Sequence, residues 1–175
     1  MQWAHGRADD FRSVYDSVYP VLIRIVYRVT NDMEIAEELC QEAFIKFYER
    51  MEVFPDHDQA KYWLIRVSKN LALNFQKRKG RERRAYERVF REPKKQEDSG
   101  ETAVLKKESH EAVKAALETL PGKMKEVLVL KEYGDLNYKE IATVLGISEG
   151  NVKVRVFRAR ERLAEALNRG DVYVP

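Results

Sequence analysis

Between Ile147 and Leu163 the chain reads "ISEGNVKVRVFRARERL". Lys153, Arg155, Arg158, Arg160 and Arg162 place cations along it, with Val154 and Phe157 standing among them. Lys and Arg donate to phosphate oxygens and guanine edges, and an apolar carbon can lie against a thymine methyl, so the chemistry on offer is duplex recognition. At 100° per residue, Val152, Val156, Ala159, Leu163 and Leu167 share a stripe about 80° wide, which is the expected buried face. Lys153, Val154, Phe157 and Arg158 lie on the opposite arc with Glu161. The plainer alternative is that the charges solvate the helix and Phe157 packs on a neighbouring one. Arg155, Arg160 and Arg162 flank the buried stripe, where phosphate contacts or salt bridges with Glu149 and Glu165 both fit. Ser148 and Asn151, at the helix start, join Arg155 and Arg162 as candidate phosphate-positioning residues.

Two further stretches carry chemistry. In "DMEIAEELCQEAFIKFYERM" an apolar arc of Ile35, Ala36, Leu39, Cys40, Ala43, Phe44, Phe47 and Met51 faces away from Glu34, Glu38, Gln41, Glu42 and Glu49. Ile45 sits among those acids, which suits a protein-binding face with an apolar anchor and a charged rim; the alternative is that Ile45 packs on another helix of its module. In "YWLIRVSKNLALNFQKRKGR", Trp63, Leu64, Val67, Leu71 and Phe75 form the apolar arc, while Arg66, Asn70, Asn74 and Lys77 follow one edge at spacings of four, four and three. Asn both donates and accepts, so this edge can read a base while its cations hold phosphates. Trp63, mid-arc, is expected in the core. His57 has no Cys or His neighbour at ligand spacing, and no clustered carboxylates or nucleophile with an evident base mark a catalytic centre, so neither metal, cofactor nor enzymatic activity is expected.

The elements that position these residues are helical throughout. A helix is expected across "DDFRSVYDSVYPVLIRIVYRV", interrupted or restarted near Pro20, with a second opening at Asn31 or Asp32, both good N-caps. "FPDHDQAK", Phe54 to Lys61, reads as a loop. From about Arg81 to Lys107 the apolar period fades into charges, Pro93 and "EDSGE", which suits a tether, although Ala85 to Phe90 could extend the preceding helix. Pro121 suits the first turn of "PGKMKEVLVLKEY". Asn137 with Glu140 approximates a capping box, Gly146 can end a helix in the left-handed conformation and Ser148 can cap the next, which is a helix-turn-helix layout. With neither strand alternation nor internal repeats, the fold class is all-α: two small helical domains, residues 9–84 and 110–169, joined by a flexible linker, 85–109.

Composition agrees with a folded, helix-rich chain: 175 residues, 44% hydrophobic and 35% charged, with a formal net charge of +3. That modest sum conceals a segregation, because Asn31 to Glu52 holds seven acidic residues against two basic, whereas Phe75 to Lys95 holds ten basic residues. The lone cysteine, Cys40, excludes an intramolecular disulfide framework and is expected to be a buried thiol. No apolar run approaches the length of a membrane span, and "MQWAHGRADDF" is too polar for a signal peptide, so a cytoplasmic location is expected.

Together these residues resemble the extracytoplasmic-function group of the sigma-70 family of bacterial RNA polymerase initiation factors. "AEELCQEAFIKFY" resembles its region 2.2, "WLIRVSKNLALNFQKRK" its regions 2.3 and 2.4, and "LPGKMKEVLVLKEYGDLNYKEIATVLGISEGNVKVRVFRARERL" its region 4. The resemblance implies a non-enzymatic specificity subunit, monomeric in the holoenzyme, without a small-molecule substrate. Its partners would be core RNA polymerase through the β′ clamp coiled coil and β flap, promoter DNA, and an anti-sigma factor. It assigns Glu38, Gln41, Glu42 and Ile45 to the coiled coil. Asn70 and Asn74, with the loop Phe54 to Lys61, go to the melted minus 10 strand, and Lys153, Val154, Phe157 and Arg158 to the minus 35 duplex. The chain departs from the family pattern at Ala60, where a Phe is usual, and at Val154, where a small polar residue is usual; its linker is unusually charged. A free-standing helix-turn-helix regulator, binding duplex DNA without polymerase, is the competing reading.

Overall fold

A computed structural model describes residues 7–89 and 112–168. Helix α1 spans Arg7–Thr30, α2 Met33–Arg50 and α3 His57–Val89, with one 3-10 turn at Met51–Val53. After them come α4 (112–118), α5 (Gly122–Glu132), α6 (Tyr138–Leu145) and α7 (Glu149–Asn168). No strand occurs among the described residues.

Helix α1 runs through Pro20 without interruption, contrary to expectation. Proline removes one backbone hydrogen bond and crowds the preceding turn, but Pro20 lies on the exposed side, and Val14, Val18, Leu22 and Ile25 are sealed in the core on either side of it. The helix ends at Asn31, whose φ of 54° is left-handed. Asp32 is the N-cap of α2, its side chain accepting from the Ile35 N–H. The expected loop from Phe54 to Lys61 is shorter than its composition suggested: Asp56 accepts from Gln59 N at 2.8 Å and α3 begins at His57. At its other end α3 continues to Val89, into the stretch read as tether; residues 90–109 of that tether lie outside the described residues.

One apolar cluster runs through both groups of helices, joining Val18, Leu22, Ile25, Phe47 and Leu64 to Val127, Leu130, Leu136, Ile141 and Val152. A smaller one, around Leu117, Leu120, Leu128 and Ala159, ties α4 to α5 and α7. Helix α3 is therefore covered on two sides. The sequence arc predicted Leu64, which is buried, but Ile65, Ser68, Lys69 and Ala72 are buried too, while Trp63, Val67, Leu71 and Phe75 are only half-buried. The arc identified one face of α3 and missed the face covered by α5 and α6. Cys40 is fully buried, and burial, with Glu37 nearby, pushes its thiol up to about 12.

At the junction of the two groups, Gly134 permits close approach: a Cβ there would lie 2.6 Å from Leu130 O and 3.1 Å from Ile25 Cδ1. Polar contacts surround this point. Arg24 Nη2 reaches Asp135 Oδ2 at 2.7 Å and its Nε donates to Tyr133 O. Lys69, 9% exposed at its side chain, pairs with Glu126 of α5, 18% exposed. Arg28 is buried with its guanidinium carbon 4.9 Å from the centre of the Tyr133 ring, and its Nε and Nη2 have no hydrogen-bond partner among the described residues.

Candidate functional site

The helix-turn-helix is built by local chemistry. Asn137 Oδ1 accepts from Glu140 N at 2.9 Å while Glu140 Oε2 accepts from Asn137 N at 2.8 Å, a complete capping box. Gly146 ends α6 at φ 67°, a conformation that Gly adopts without a Cβ penalty. Ser148 Oγ then accepts from Asn151 N at 3.2 Å and opens α7. Val152, Val156 and Ala159 are buried, whereas Val154 is 48% and Phe157 63% exposed, beside exposed Lys153 and Arg158. Phe157 does not pack into the core. Ser148, Asn151 and Arg162 are exposed and Arg155 is half-buried, all along the same helix. The salt-bridge partners differ in part from those expected: Lys153 pairs with Glu149 at 2.8 Å, and Arg160 pairs across to Glu132 of α5 at 2.6 Å.

On α2, Ile45 is 61% exposed and does not pack on another helix. Glu38 and Gln41 are exposed beside it, and Glu42, half-buried, pairs with Lys46 at 3.3 Å. Exposed Tyr48 and Tyr15 flank this face, and Tyr15 stacks on Tyr19 at 5.1 Å. Sequence reading had not included these tyrosines; their spacing from Ile45, at one turn along α2 for Tyr48, is the signal that was available.

On α3, Asn70, Asn74 and Lys77 are exposed along one edge. Arg66 shares the edge, and its guanidinium is engaged: Nε donates to Val144 O at 2.8 Å and Nη2 to Thr143 O at 2.7 Å. These are last-turn carbonyls of α6, which lack intrahelical partners and carry the negative end of the helix dipole. One turn earlier, Lys61 Nζ reaches Glu140 Oε1 at 3.2 Å and the Tyr62 hydroxyl donates to the same oxygen at 3.4 Å. Burial acts to raise the Glu140 carboxyl, but the Asn137 backbone N–H and Lys61 outweigh it and hold the group below its ordinary range. Burial, then the Glu140 charge, raises the Tyr62 phenol. Ala60 is fully buried in the first turn of α3, and the Phe54 ring lies 5.3 Å from the half-buried Trp63. His57 sits with Nε2 2.8 Å from Ser17 Oγ. Nothing in the sequence signalled that Arg24, Lys61, Arg66 and Lys69 bridge to α5, α6 and the turn between them, because a cation on a helix reads as a surface residue.

Comparison with known proteins gives these faces a context. The family model for sigma-70 region 2 matches residues 14–82, and that for sigma-70 region 4 matches residues 110–163. The chain is similar to the ECF RNA polymerase sigma factor SigM of Bacillus subtilis, 30% identical over 159 residues that cover 89% of this chain and 96% of SigM. It is also similar to the RNA polymerase sigma-H factor of Pseudomonas aeruginosa, 32% identical over 154 residues, 83% of this chain and 80% of that protein. Among solved structures, the sigma factor RpoE of Bartonella quintana, in complex with the anti-sigma factor NepR, superposes with a TM-score of 0.67 at 26% identity, covering 91% of this chain and 98% of RpoE. Family models matching both parts of the chain and relatives matched over most of their own length agree: this chain belongs to the extracytoplasmic-function sigma factors of the sigma-70 family, which direct promoter-specific transcription initiation.

Proposed function

We propose that the helices form two promoter-reading modules, 9–84 and 110–169, joined by the linker 85–109, each with its own partner surface. The acidic face of α2, with Glu38, Gln41 and Glu42 around Ile45, docks the β′ clamp coiled coil of core polymerase, and the β flap engages the second module. Asn70 and Asn74, flanked by Arg66 and Lys77, hold the opened minus 10 strand. Lys153, Val154, Phe157 and Arg158 read the minus 35 duplex, with Ser148, Asn151, Arg155 and Arg162 setting the helix on phosphates. The protein acts in the cytoplasm as a non-catalytic subunit. The likeness to an RpoE solved with NepR supports an anti-sigma factor as a further partner.

The observation that carries this reading is the exposure of Phe157 and Val154 on α7 opposite a sealed apolar stripe. Such side chains gain by leaving water, and the flanking cations support nucleic acid as the target. Unpairing costs a few kcal/mol per base removed from the stack, so contacts of the asparagine edge with an opened strand must offset it. Transcription in vitro with core polymerase on a genomic promoter library tests the assignment. Asn70→Ala/Asn74→Ala should lower open-complex formation on duplex promoters while leaving binding to core intact. A protein that binds duplex promoters tightly without polymerase, and supports no initiation with it, would instead be a free-standing regulator.

A further inference from the structure

The turn that leads from α2 into α3 is tied down residue by residue. Phe54 N donates to Met51 O, and the Phe54 ring lies 5.6 Å from that of Phe47 in the core and 5.3 Å from that of Trp63 on α3. Pro55 follows, its φ fixed by the pyrrolidine ring. Asp56 Oδ1 then accepts from Gln59 N at 2.8 Å. His57, the first residue of α3, reaches across to α1, where its Nε2 lies 2.8 Å from Ser17 Oγ. Neither Ser17 nor His57 belongs to a recognition face proposed above, and their sequence separation of 40 makes the contact a tertiary one.

The direction of this bond follows from the hydroxyl. Ser17 Oγ carries one proton and lies 2.7 Å from Ser13 O, one turn back in α1, and 3.2 Å from Val14 O. Those carbonyls take the proton, which leaves oxygen lone pairs toward His57, so the imidazole donates through Nε2–H. Helix α1 thereby holds the Ser17 side chain in place and offers the imidazole a fixed acceptor.

At 100° per residue His57 lies about 140° round α3 from Asn70, on the back of the asparagine edge. Gln59, exposed in the same first turn, lies about 20° from Asn70, so that Gln59, Arg66, Asn70, Asn74 and Lys77 share an arc about 80° wide. Fixing the back of the turn fixes what its front presents. We infer that the Ser17–His57 bond is a latch through which α1 positions the first turn of α3 for the opened minus 10 strand, with Gln59 presented about 16 Å before Asn70 along one edge. The inference rests on the placement of that strand at Asn70 and Asn74. A turn already held in its bound form avoids the ordering cost of binding. Once the latch is removed, apparent affinity falls in proportion to the fraction of molecules in which the turn is still in place.

The test uses reconstituted holoenzyme and dissociation constants on two templates: a promoter with a pre-opened minus 10 strand, and one that ends upstream of it and keeps only the minus 35 duplex. On the first, Ser17→Ala and His57→Ala should each weaken binding about 2- to 10-fold, the range of one hydrogen bond. On the second, both should bind as the parent does. Ser17→Thr and His57→Gln, which keep an acceptor and a donor, should stay within about twofold of the parent on both templates. Ser17→Ala/His57→Ala should lose no more than either single variant, because the two side chains act as one pair. Ala is the better helix former, so Ser17→Ala should melt at or above the parental Tm while binding falls. Parental binding of Ser17→Ala to the pre-opened template overturns the inference, as does a drop in its Tm, which would make the bond a folding contact. Multiplying losses in the double variant also overturn it, because His57 would then touch the strand itself. Asn70→Ala/Asn74→Ala, run in parallel, should weaken binding to the pre-opened template. If it does not, the minus 10 assignment fails and the inference with it; if it does and Ser17→Ala binds normally, the latch alone fails.

Discussion

Glu126→Ala isolates the energetics of docking between the two groups of helices. Lys69 and Glu126 are 9% and 18% exposed at their side chains, and Lys69 is dry only because α5 lies over it. Removing one member of a buried ion pair leaves an uncompensated charge and costs about 3–5 kcal/mol. The residual exposure of Glu126 lets water approach and argues for the lower end, about 3 kcal/mol. For a chain of this size each kcal/mol lowers Tm by about 2–4 °C, so Glu126→Ala should melt about 6–12 °C below the parent by far-ultraviolet circular dichroism. The double variant Lys69→Met/Glu126→Met, which fills similar volume without charge, should return to within about 1 kcal/mol of the parent in urea titrations. The reasoning fails if the single variant lies within about 1 kcal/mol of the parent, because Lys69 would then be hydrated in solution and the two groups not docked as described.

Ile45→Ala tests the proposed anchor of the α2 face, a side chain that is 61% exposed. Burying that share of a side chain worth about 1.5–3 kcal/mol gives about 1–2 kcal/mol, so affinity for core polymerase in anisotropy titrations should fall about 5- to 30-fold with Tm unchanged. Phe157→Ala should likewise leave the melting curve in place, since the ring is 63% exposed; transcription from promoters that need the minus 35 element should drop about tenfold, and removal of that element should abolish the difference. Glu140 has its carboxyl held below the ordinary range in the fold. Its stabilising contribution is therefore complete above the unfolded carboxylate pKa and lost as pH falls through the lower folded value. Glu140→Gln should narrow the gap in Tm between pH 7 and pH 3.

Legibility in the sequence followed the range of the interactions. The capping box at Asn137 and Glu140, the left-handed Gly146 and the stripe of Val152, Val156 and Ala159 are all set by residues within a few positions of one another, and the structure has them as read. The same holds for Cys40 and for most of the apolar arc of α2, although Ile35 and Leu39 are only half-buried, as are Leu163 and Leu167 at the far end of the α7 stripe. Pro20 misled because its local cost is outweighed by packing on both sides, which periodicity does not reveal. The second buried face of α3 was invisible for a different reason: Lys69 and Arg66 are cations whose partners, Glu126 and the carbonyls of Thr143 and Val144, lie 57, 77 and 78 positions away. A helical projection states which side chains share a face, not which element covers it. The exposure of Ile45 among acids and of Phe157 among cations was readable because residues of the wrong polarity break the pattern that solvent alone would impose.

The buried guanidinium of Arg28 bears on how readily the two groups of helices part. Its Nε and Nη2 are without a hydrogen-bond partner among the described residues, and each buried donor left unmade costs about 1–3 kcal/mol, of which the Tyr133 ring offsets about 0.5–2 kcal/mol. Separation returns the group to water and recovers that cost. The docked state thus sits in a shallower well than its apolar contacts alone would dig, and a partner that binds only the separated form needs correspondingly less differential affinity to shift the population.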